Sequence, residues 1–145
     1  MRFKIIKHLS FLFIFLYFNS LSAQSSNLVA CDTLYTQKDI NACVFKVYNN
    51  SQEQLNKTYK SFIKSLDKKI KTSDAKRVEK AKVLKQFYKD AQVYWTLTRN
   101  YNAQVHASYE LTTLLKEYAF YISKTKESLE RIDYLILLSD SLKLK

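Results

Sequence analysis

The sequence predicts an all-α protein, an antiparallel bundle of about three long amphipathic helices behind an N-terminal signal peptide. The 145 residues include neither glycine nor proline, which all-β folds need at many turns. Apolar residues recur at three- and four-residue steps over long stretches, as on one face of a helix. A chain of this length holds one domain with a modest core. The lack of glycine also excludes loops that bind nucleotide phosphates through close backbone approach.

The first residues are typical of a secretory signal peptide. Three basic residues precede an apolar run from Leu9 to Phe18, and small and polar residues follow the run. The run is shorter than the roughly 20 residues that span a bilayer, so we expect cleavage after Ala23 and no transmembrane span in the mature chain. An uncleaved N-terminal anchor is the alternative. The expected division is a signal peptide over residues 1–23, an extended segment over residues 24–35 and a helical domain over residues 36–145.

Cys31 and Cys43 are the two cysteines, and export would place them in an oxidising compartment. We predict a disulfide between them, with two buried free thiols as the alternative. Two thiols do not predict a zinc site, because structural zinc takes four ligands. The stretch from Asn27 to Cys31 also resembles a lipobox, although a polar stretch separates it from the apolar run. We therefore expect a periplasmic or secreted protein and favour a lipoprotein anchored through Cys31 less.

The first predicted helix begins near Thr36, whose hydroxyl forms a capping arrangement with Asp39 in the first turn. Residues 49–51 interrupt its pattern and are compatible with a kink or a break. Residues 72–74 form the strongest turn signal of the chain, with Ser73 as the candidate N-cap of the second helix. The apolar stripe of the first helix consists of Ile40, Cys43, Val47, Leu55, Tyr59, Phe62, Leu66 and Ile70.

Two more apolar stripes follow. That of the second helix consists of Val78, Ala81, Leu84, Tyr88, Ala91, Trp95, Thr98 and Val105. That of the third helix consists of Leu111, Leu115, Tyr118, Ile122, Thr125, Leu129, Ile132 and Ile136. We expect the break between these helices near residues 106–108. Long helices joined by short turns pack antiparallel, which predicts the bundle.

The net charge of +11 is concentrated in one segment. Residues 57–89 carry twelve Lys and Arg against three Asp and Glu, a net charge of +9, whereas residues 24–56 carry −1 and residues 90–145 are neutral. This basic hairpin is either a solvated lysine face or an anion-binding tip. Export argues against nucleic acid as the anion. The candidate anion-binding residues are Lys64, Lys68, Lys69, Lys71, Lys76, Arg77 and Lys80.

The sequence contains no recognisable catalytic constellation. His106 has no partner motif for nucleophilic or acid–base catalysis, and the carboxylates are interpreted as solvated or paired with the many lysines. We therefore expect no enzyme activity, no cofactor and no metal. Trp95 and Arg99 stand one helical turn apart, a spacing that suits a guanidinium over an indole ring. Within a bundle, we interpret this pair as structural.

An ordered set of residues resembles the LprI-like lysozyme inhibitor domain family. The matching positions are Cys31, Thr36, Gln37, Asn41, Cys43, Tyr48, Leu55, Asn56, Tyr59, Ala91, Gln92, Trp95 and Arg99. We interpret them as scaffold: a cap, a disulfide, a Leu–Asn packing pair and a Trp–Arg pair. Asn100 and Ala103 depart from the family pattern, which has an Asp and a third cysteine there. The fourth cysteine and the glycine-rich link before the last helix are also missing.

The resemblance implies an exported, non-enzymatic domain of the bacterial envelope that binds a lysozyme or another protein. Common animal lysozymes are basic, so the basic hairpin should repel them. We therefore expect contact through Asp32, Asp39 and Glu53, in the one segment of the mature chain with negative net charge. The alternative is a structural, envelope-associated protein whose hairpin, residues 57–89, binds an anionic surface.

Overall fold

A computed structural model describes residues 30–142, apart from the side chains of Ala75 and Lys76. Three α-helices account for most of this part of the chain: α1 (Gln37–Thr72), α2 (Ala75–Ser108) and α3 (Thr113–Ser141). The predicted all-α fold is confirmed. The predicted signal peptide and residues 24–29 lie outside the described residues.

Helix α1 begins at its predicted cap and runs without a break. The Thr36 hydroxyl accepts a hydrogen bond from the Asp39 backbone N–H at 3.1 Å and donates one to the Asp39 carboxylate at 2.6 Å. The suggested break at residues 49–51 is wrong, because the helix continues through them. Ser51 is buried there and donates its hydroxyl to the Tyr48 carbonyl at 2.7 Å, so a polar residue fits inside the helix without disturbing it.

The turn between α1 and α2 lies where the sequence predicts it, but its cap is Asp74 instead of Ser73. The Asp74 carboxylate accepts a hydrogen bond from the Arg77 N–H at 3.0 Å. Ser73 instead ends α1 and donates its hydroxyl to the Lys69 carbonyl at 2.7 Å. Each polar side chain thus satisfies a backbone group that a helix end leaves unpaired.

The link between α2 and α3 is also close to its expected position. Helix α2 ends at Ser108, and the Thr112 hydroxyl caps α3 by accepting from the Leu115 N–H at 3.2 Å. Leu111, the first member of the predicted third stripe, precedes this cap and lies exposed in the link. The inward face of α3 therefore starts later than the apolar pattern predicts.

Side-chain contacts between the helices define an up–down–up bundle. Lys85 of α2 pairs with Asp67 of α1 near the α1–α2 turn. On α1 and α3, which run parallel, Asn41 reaches the Leu114 carbonyl at 2.8 Å and, at the other end, Lys69 reaches the Leu142 carbonyl at 2.6 Å. One end of the bundle therefore carries the basic hairpin, and the other carries the start of α1 and the α2–α3 link.

The apolar core fills the half of the bundle near the hairpin. Phe62 and Tyr88 pack edge to face there, with their ring centroids 5.0 Å apart. The fully or nearly buried members of this core are Leu55, Phe62, Leu66, Tyr88, Ile132 and Leu135. In the middle of the bundle the buried side chains are instead polar or small, among them Ser51, Arg99, Ala103, Thr125 and Ser128.

Candidate functional site

The predicted disulfide joins Cys31 to Cys43, with the two Cα atoms 5.6 Å apart. It ties the residues before α1 to the second turn of that helix. Residues 30–35, expected as part of an extended segment, contain a turn in which the Leu34 N–H donates to the Cys31 carbonyl at 3.3 Å. Because a lipid anchor would use the same sulfur of Cys31, this disulfide and the lipoprotein alternative exclude each other.

Polar contacts fasten the start of α1 to α3. The Tyr118 hydroxyl donates to Asp32 at 3.0 Å, and Asn41 donates to Glu117 at 3.2 Å as well as to the Leu114 carbonyl. Burial and the neighbouring Asp32 carboxylate raise the pKa of Tyr118. Gln37 donates to the Asn41 side chain at 2.9 Å. The family-matching residues Gln37 and Asn41 thus link the N-terminal end of α1 to the N-terminal end of α3.

The disulfide end of the bundle, residues 30–46 and 106–118, presents apolar side chains to solvent. Tyr35 is 103% exposed and Leu111 is 94% exposed, in the two segments that precede α1 and α3. The same residues contain four Asp and Glu against three Lys, a net charge of −1. This end therefore combines free apolar side chains with a slight acidic excess.

Of the three acidic residues expected to contact a lysozyme, only Asp32 and Asp39 lie at the disulfide end. Glu53 stands sixteen residues after Gln37 on α1, about 24 Å along the helix. Its carboxylate pairs with Lys57 at 2.7 Å, and this hydrogen bond and charge lower the pKa of Glu53.

Arg99 occupies the polar middle of the bundle and is only 5% exposed. Its guanidinium donates to Gln52 at 2.7 Å, to Ser128 at 3.1 Å and to Asn100 at 3.2 Å. The same group lies 5.0 Å from the centroid of the Trp95 ring, in the arrangement that the sequence suggests. Burial lowers the pKa of Arg99. Each of these contacts is internal to the bundle.

The contacts of Gln52 and Ser128 were not predicted from the sequence, although a signal was present. Both are polar residues on a helix face that is otherwise apolar, and such residues need hydrogen-bond partners when buried. Gln52 also donates to the Ser128 hydroxyl at 2.7 Å. The other family-matching positions on α1 differ in exposure: Leu55 is in the core, Tyr48 and Tyr59 are partly buried, and Asn56 is exposed.

The basic hairpin forms the opposite end of the bundle. Of its candidate anion-binding residues, Lys69 donates to the Leu142 carbonyl and Arg77 pairs with Asp74 at 3.4 Å. A cavity of ≈ 450 Å³ opens between Lys69, Arg77 and Lys80 on its rim and leucine side chains on its floor. The candidates with described side chains that are exposed to solvent are Lys64, Lys68, Lys69, Lys71, Arg77 and Lys80.

Neither a metal centre nor a membrane span is found within residues 30–142. No three His, Cys, Asp or Glu side chains in that range are grouped to hold a metal ion. None of the three helices is apolar enough over a sufficient length to cross a bilayer.

Comparison with known proteins agrees with the family resemblance found in the sequence. The family model described as Lysozyme inhibitor LprI matches residues 30–141. No curated protein and no solved structure matches the chain. Since the family model covers well over half of the sequence, the chain belongs to the LprI lysozyme inhibitor family.

Proposed function

We propose that this protein is an exported, non-enzymatic inhibitor of a lysozyme and that it contacts its target through the disulfide end. Membership of the LprI family supports the class of target. A disulfide supports export, because disulfides persist in oxidising compartments. The observation that supports the location is the full exposure of Tyr35 and Leu111 at the same end of the bundle. The disulfide and the Asp32–Tyr118 contact hold the segment that carries Tyr35 against α1 and α3.

Large apolar side chains on a fixed backbone are suited to act as binding anchors. A few such residues supply most of the energy in protein interfaces. Tyr35 lies between the disulfide and the α1 cap, so little backbone freedom remains to be lost when it binds.

The charge distribution favours the same end. A basic lysozyme is repelled by the hairpin, which carries +9, and meets no such barrier at the disulfide end, where the net charge is −1. Electrostatic steering would therefore turn Asp32 and Asp39 toward the target. Glu53 contributes less to this steering, because it lies outside the disulfide end and its exposed carboxylate already pairs with Lys57.

The test is a turbidity assay in which lysozymes of different sources clear a bacterial cell-wall suspension in the presence of purified mature protein (residues 24–145). The Tyr35→Ser and Leu111→Ser double variant should lose at least tenfold in inhibitory potency. Its melting temperature should be unchanged, because neither side chain is buried. The matched control is Leu137→Ser, which removes an exposed leucine near the C-terminal end of α3. This variant should inhibit normally.

Two results would contradict this proposal. One is a wild-type protein that inhibits none of the lysozymes. The other is full inhibition by the double variant, which would place the contact elsewhere on the bundle.

A second candidate function is attachment to an anionic envelope surface through the basic hairpin. The observation that favours it is the rim of Lys69, Arg77 and Lys80 around an apolar cavity at the tip of the bundle. In the part of the chain that the structure describes, the hairpin's ion pairs engage Lys57, Arg77 and Lys85. Most hairpin lysines therefore remain available for an external anion.

Sedimentation with anionic lipid vesicles, repeated at increasing salt, tests this second function. Replacing Lys68, Lys71 and Lys80 with Glu should abolish sedimentation without unfolding the protein, since all three are exposed. Wild-type sedimentation should weaken with salt, because the Debye length is about 8 Å at physiological ionic strength. Lysozyme inhibition should be unchanged or improved in the variant. Loss of inhibition in a folded variant would instead make the hairpin the inhibitory site.

A further inference from the structure

Helix α2 carries a second apolar stripe on the side turned away from the bundle. Its members follow one another at alternating steps of four and three residues, the spacing of a helix that packs against another helix. The apolar members are between 61% and 70% exposed. This outer stripe consists of Val83, Phe87, Asp90, Tyr94, Leu97 and Tyr101.

The stripe remains largely exposed in the bundle, and only its edge at Leu97 borders a groove beside Tyr59 of α1. The inward face of α2 packs on α1 and α3 through Ala81, Leu84, Tyr88 and Trp95. A surface helix normally has one apolar and one polar face, whereas α2 is apolar on both. A contiguous exposed apolar surface of this kind usually marks an interaction site.

The area of the stripe is sufficient for a stable interface between proteins. With Val93, which lies beside it and is 59% exposed, six apolar side chains about two-thirds exposed offer roughly 650 Å² per copy, taking about 150–200 Å² for each side chain. Two facing stripes would bury at most roughly 1,300 Å², near the lower end of the range of about 1,200–2,000 Å² for specific complexes.

The stripe is self-complementary when two copies of α2 run antiparallel. With a two-fold axis beside Gln92, Val83 of one copy lies opposite Tyr101 of the other, and Phe87 lies opposite Leu97. The same register sets Asp90 opposite Tyr94, so the one charged member of the stripe meets a phenol hydroxyl that can donate to it. Asp90 already accepts a hydrogen bond from Gln86 of its own helix at 2.9 Å. Its carboxylate would therefore be satisfied in the interface.

The charges on α2 select the antiparallel orientation. Its N-terminal half is rich in lysine, whereas from Ala91 to Ser108 the one Lys, Arg, Asp or Glu is the buried Arg99. In the antiparallel register Lys80 of one copy faces Gln104 of the other. A parallel pair would place the lysine-rich halves side by side, where like charges repel.

We propose that the outer stripe of α2 is a dimerisation surface and that two copies of this chain pair antiparallel across it. The occupant is a second copy because one register pairs apolar with apolar side chains, gives Asp90 a hydrogen-bond donor and keeps the lysine-rich halves of α2 apart. Pairing through α2 does not depend on which lysozyme the protein inhibits.

Sedimentation equilibrium of the mature protein at micromolar concentrations tests the dimer. Wild type should dimerise, and the Leu97→Lys variant should weaken the association at least tenfold with its helix content retained, because Leu97 is exposed in the monomer. Leu137→Lys, which adds the same charge on an exposed part of α3, should dimerise normally. A wild type that stays monomeric, or a Leu97→Lys variant that dimerises like wild type, would overturn the proposal.

Engineered cysteines test the register. A mixture of Val83→Cys and Tyr101→Cys proteins should form mixed crosslinks on oxidation. Tyr101→Cys alone should not crosslink, because its two copies would lie about 27 Å apart. Self-crosslinking of Tyr101→Cys would overturn the antiparallel arrangement. If the wild type is monomeric and Leu97→Lys impairs vesicle binding or lysozyme inhibition, the stripe serves that other partner and the dimer is wrong.

Discussion

The Arg99 guanidinium donates a 2.7 Å hydrogen bond to the side-chain oxygen of Gln52, which joins α2 to α1 through a buried cation. Ser128 of α3 completes a triangle, because it accepts from Arg99 at 3.1 Å and from Gln52 at 2.7 Å. One polar side chain from each helix thus meets at one level of the bundle. Such a network fixes how far each helix is shifted along its neighbours, since a shift of one turn would break all three hydrogen bonds between the helices.

Truncation of Arg99 should destabilise the fold strongly. Arg99→Ala removes the shared donor of Gln52 and Ser128 and leaves a cavity, so we expect a loss of about 3 kcal/mol in the free energy of unfolding. Arg99→Met should lose less than half as much, because it fills most of the volume and removes a charge that burial penalises. Urea unfolding followed by circular dichroism measures both. Equal losses for the two variants would show that hydrogen bonding outweighs packing and desolvation at this site.

The parts of the fold that depend on local pattern were predictable from the sequence. The Thr36 cap needs only a hydroxyl three residues before Asp39, and the α1–α2 turn needs only a cluster of short polar residues. Ser73 and Asp74 are adjacent and similar as caps, so the pattern could not decide between them.

The parts that depend on register were not predictable. The contact of Gln52 with Ser128 joins residues 76 positions apart and requires the relative shift of α1 and α3. The outer stripe was hidden because apolar residues on both faces of α2 blur the helical period. Phe87, for example, immediately precedes the buried core residue Tyr88 and its ring contacts that of Tyr88, but Phe87 is itself exposed.

Removal of the disulfide should loosen one end of the bundle. Cys43→Ser should cost about 2–3 kcal/mol, because the cross-link limits the freedom of the unfolded chain over a short loop. Hydrogen exchange followed by mass spectrometry should show faster exchange in residues 30–40, whereas α1 and α2 near the hairpin should keep their protection. Uniformly faster exchange would mean that the disulfide supports the whole fold, and Cys31→Ser should reproduce the pattern as a control.

Trp95 should stabilise the bundle without contacting a ligand. Its ring is partly buried against the core and lies 5.0 Å from the Arg99 guanidinium and 5.4 Å from that of Arg131. Trp95→Ala should cost about 3 kcal/mol, and Trp95→Phe, which keeps an aromatic face for both cations, should cost clearly less. Thermal unfolding measures this loss. A Trp95→Phe protein of unchanged stability that no longer inhibits lysozyme would instead make Trp95 a contact residue.

Burial and the neighbouring Glu130 carboxylate raise the pKa of Asp133 on α3 above its ordinary value of 3.8. Because the folded protein then holds the Asp133 proton more tightly than the unfolded chain does, deprotonation of this group destabilises the fold. Its contribution to stability is therefore most favourable at low pH and is lost as pH rises from 3.8 through the raised pKa.

Asp133→Asn should consequently melt at a higher temperature than wild type at pH 7, and the difference should shrink as the pH falls toward 3.8. Glu130→Gln should also raise the melting temperature at pH 7, because it removes the like charge. The double variant should gain less than the sum of the two, since each change relieves the same repulsion. A gain from Asp133→Asn that is equal at every pH would contradict an electrostatic cause and would point to helix propensity or packing instead.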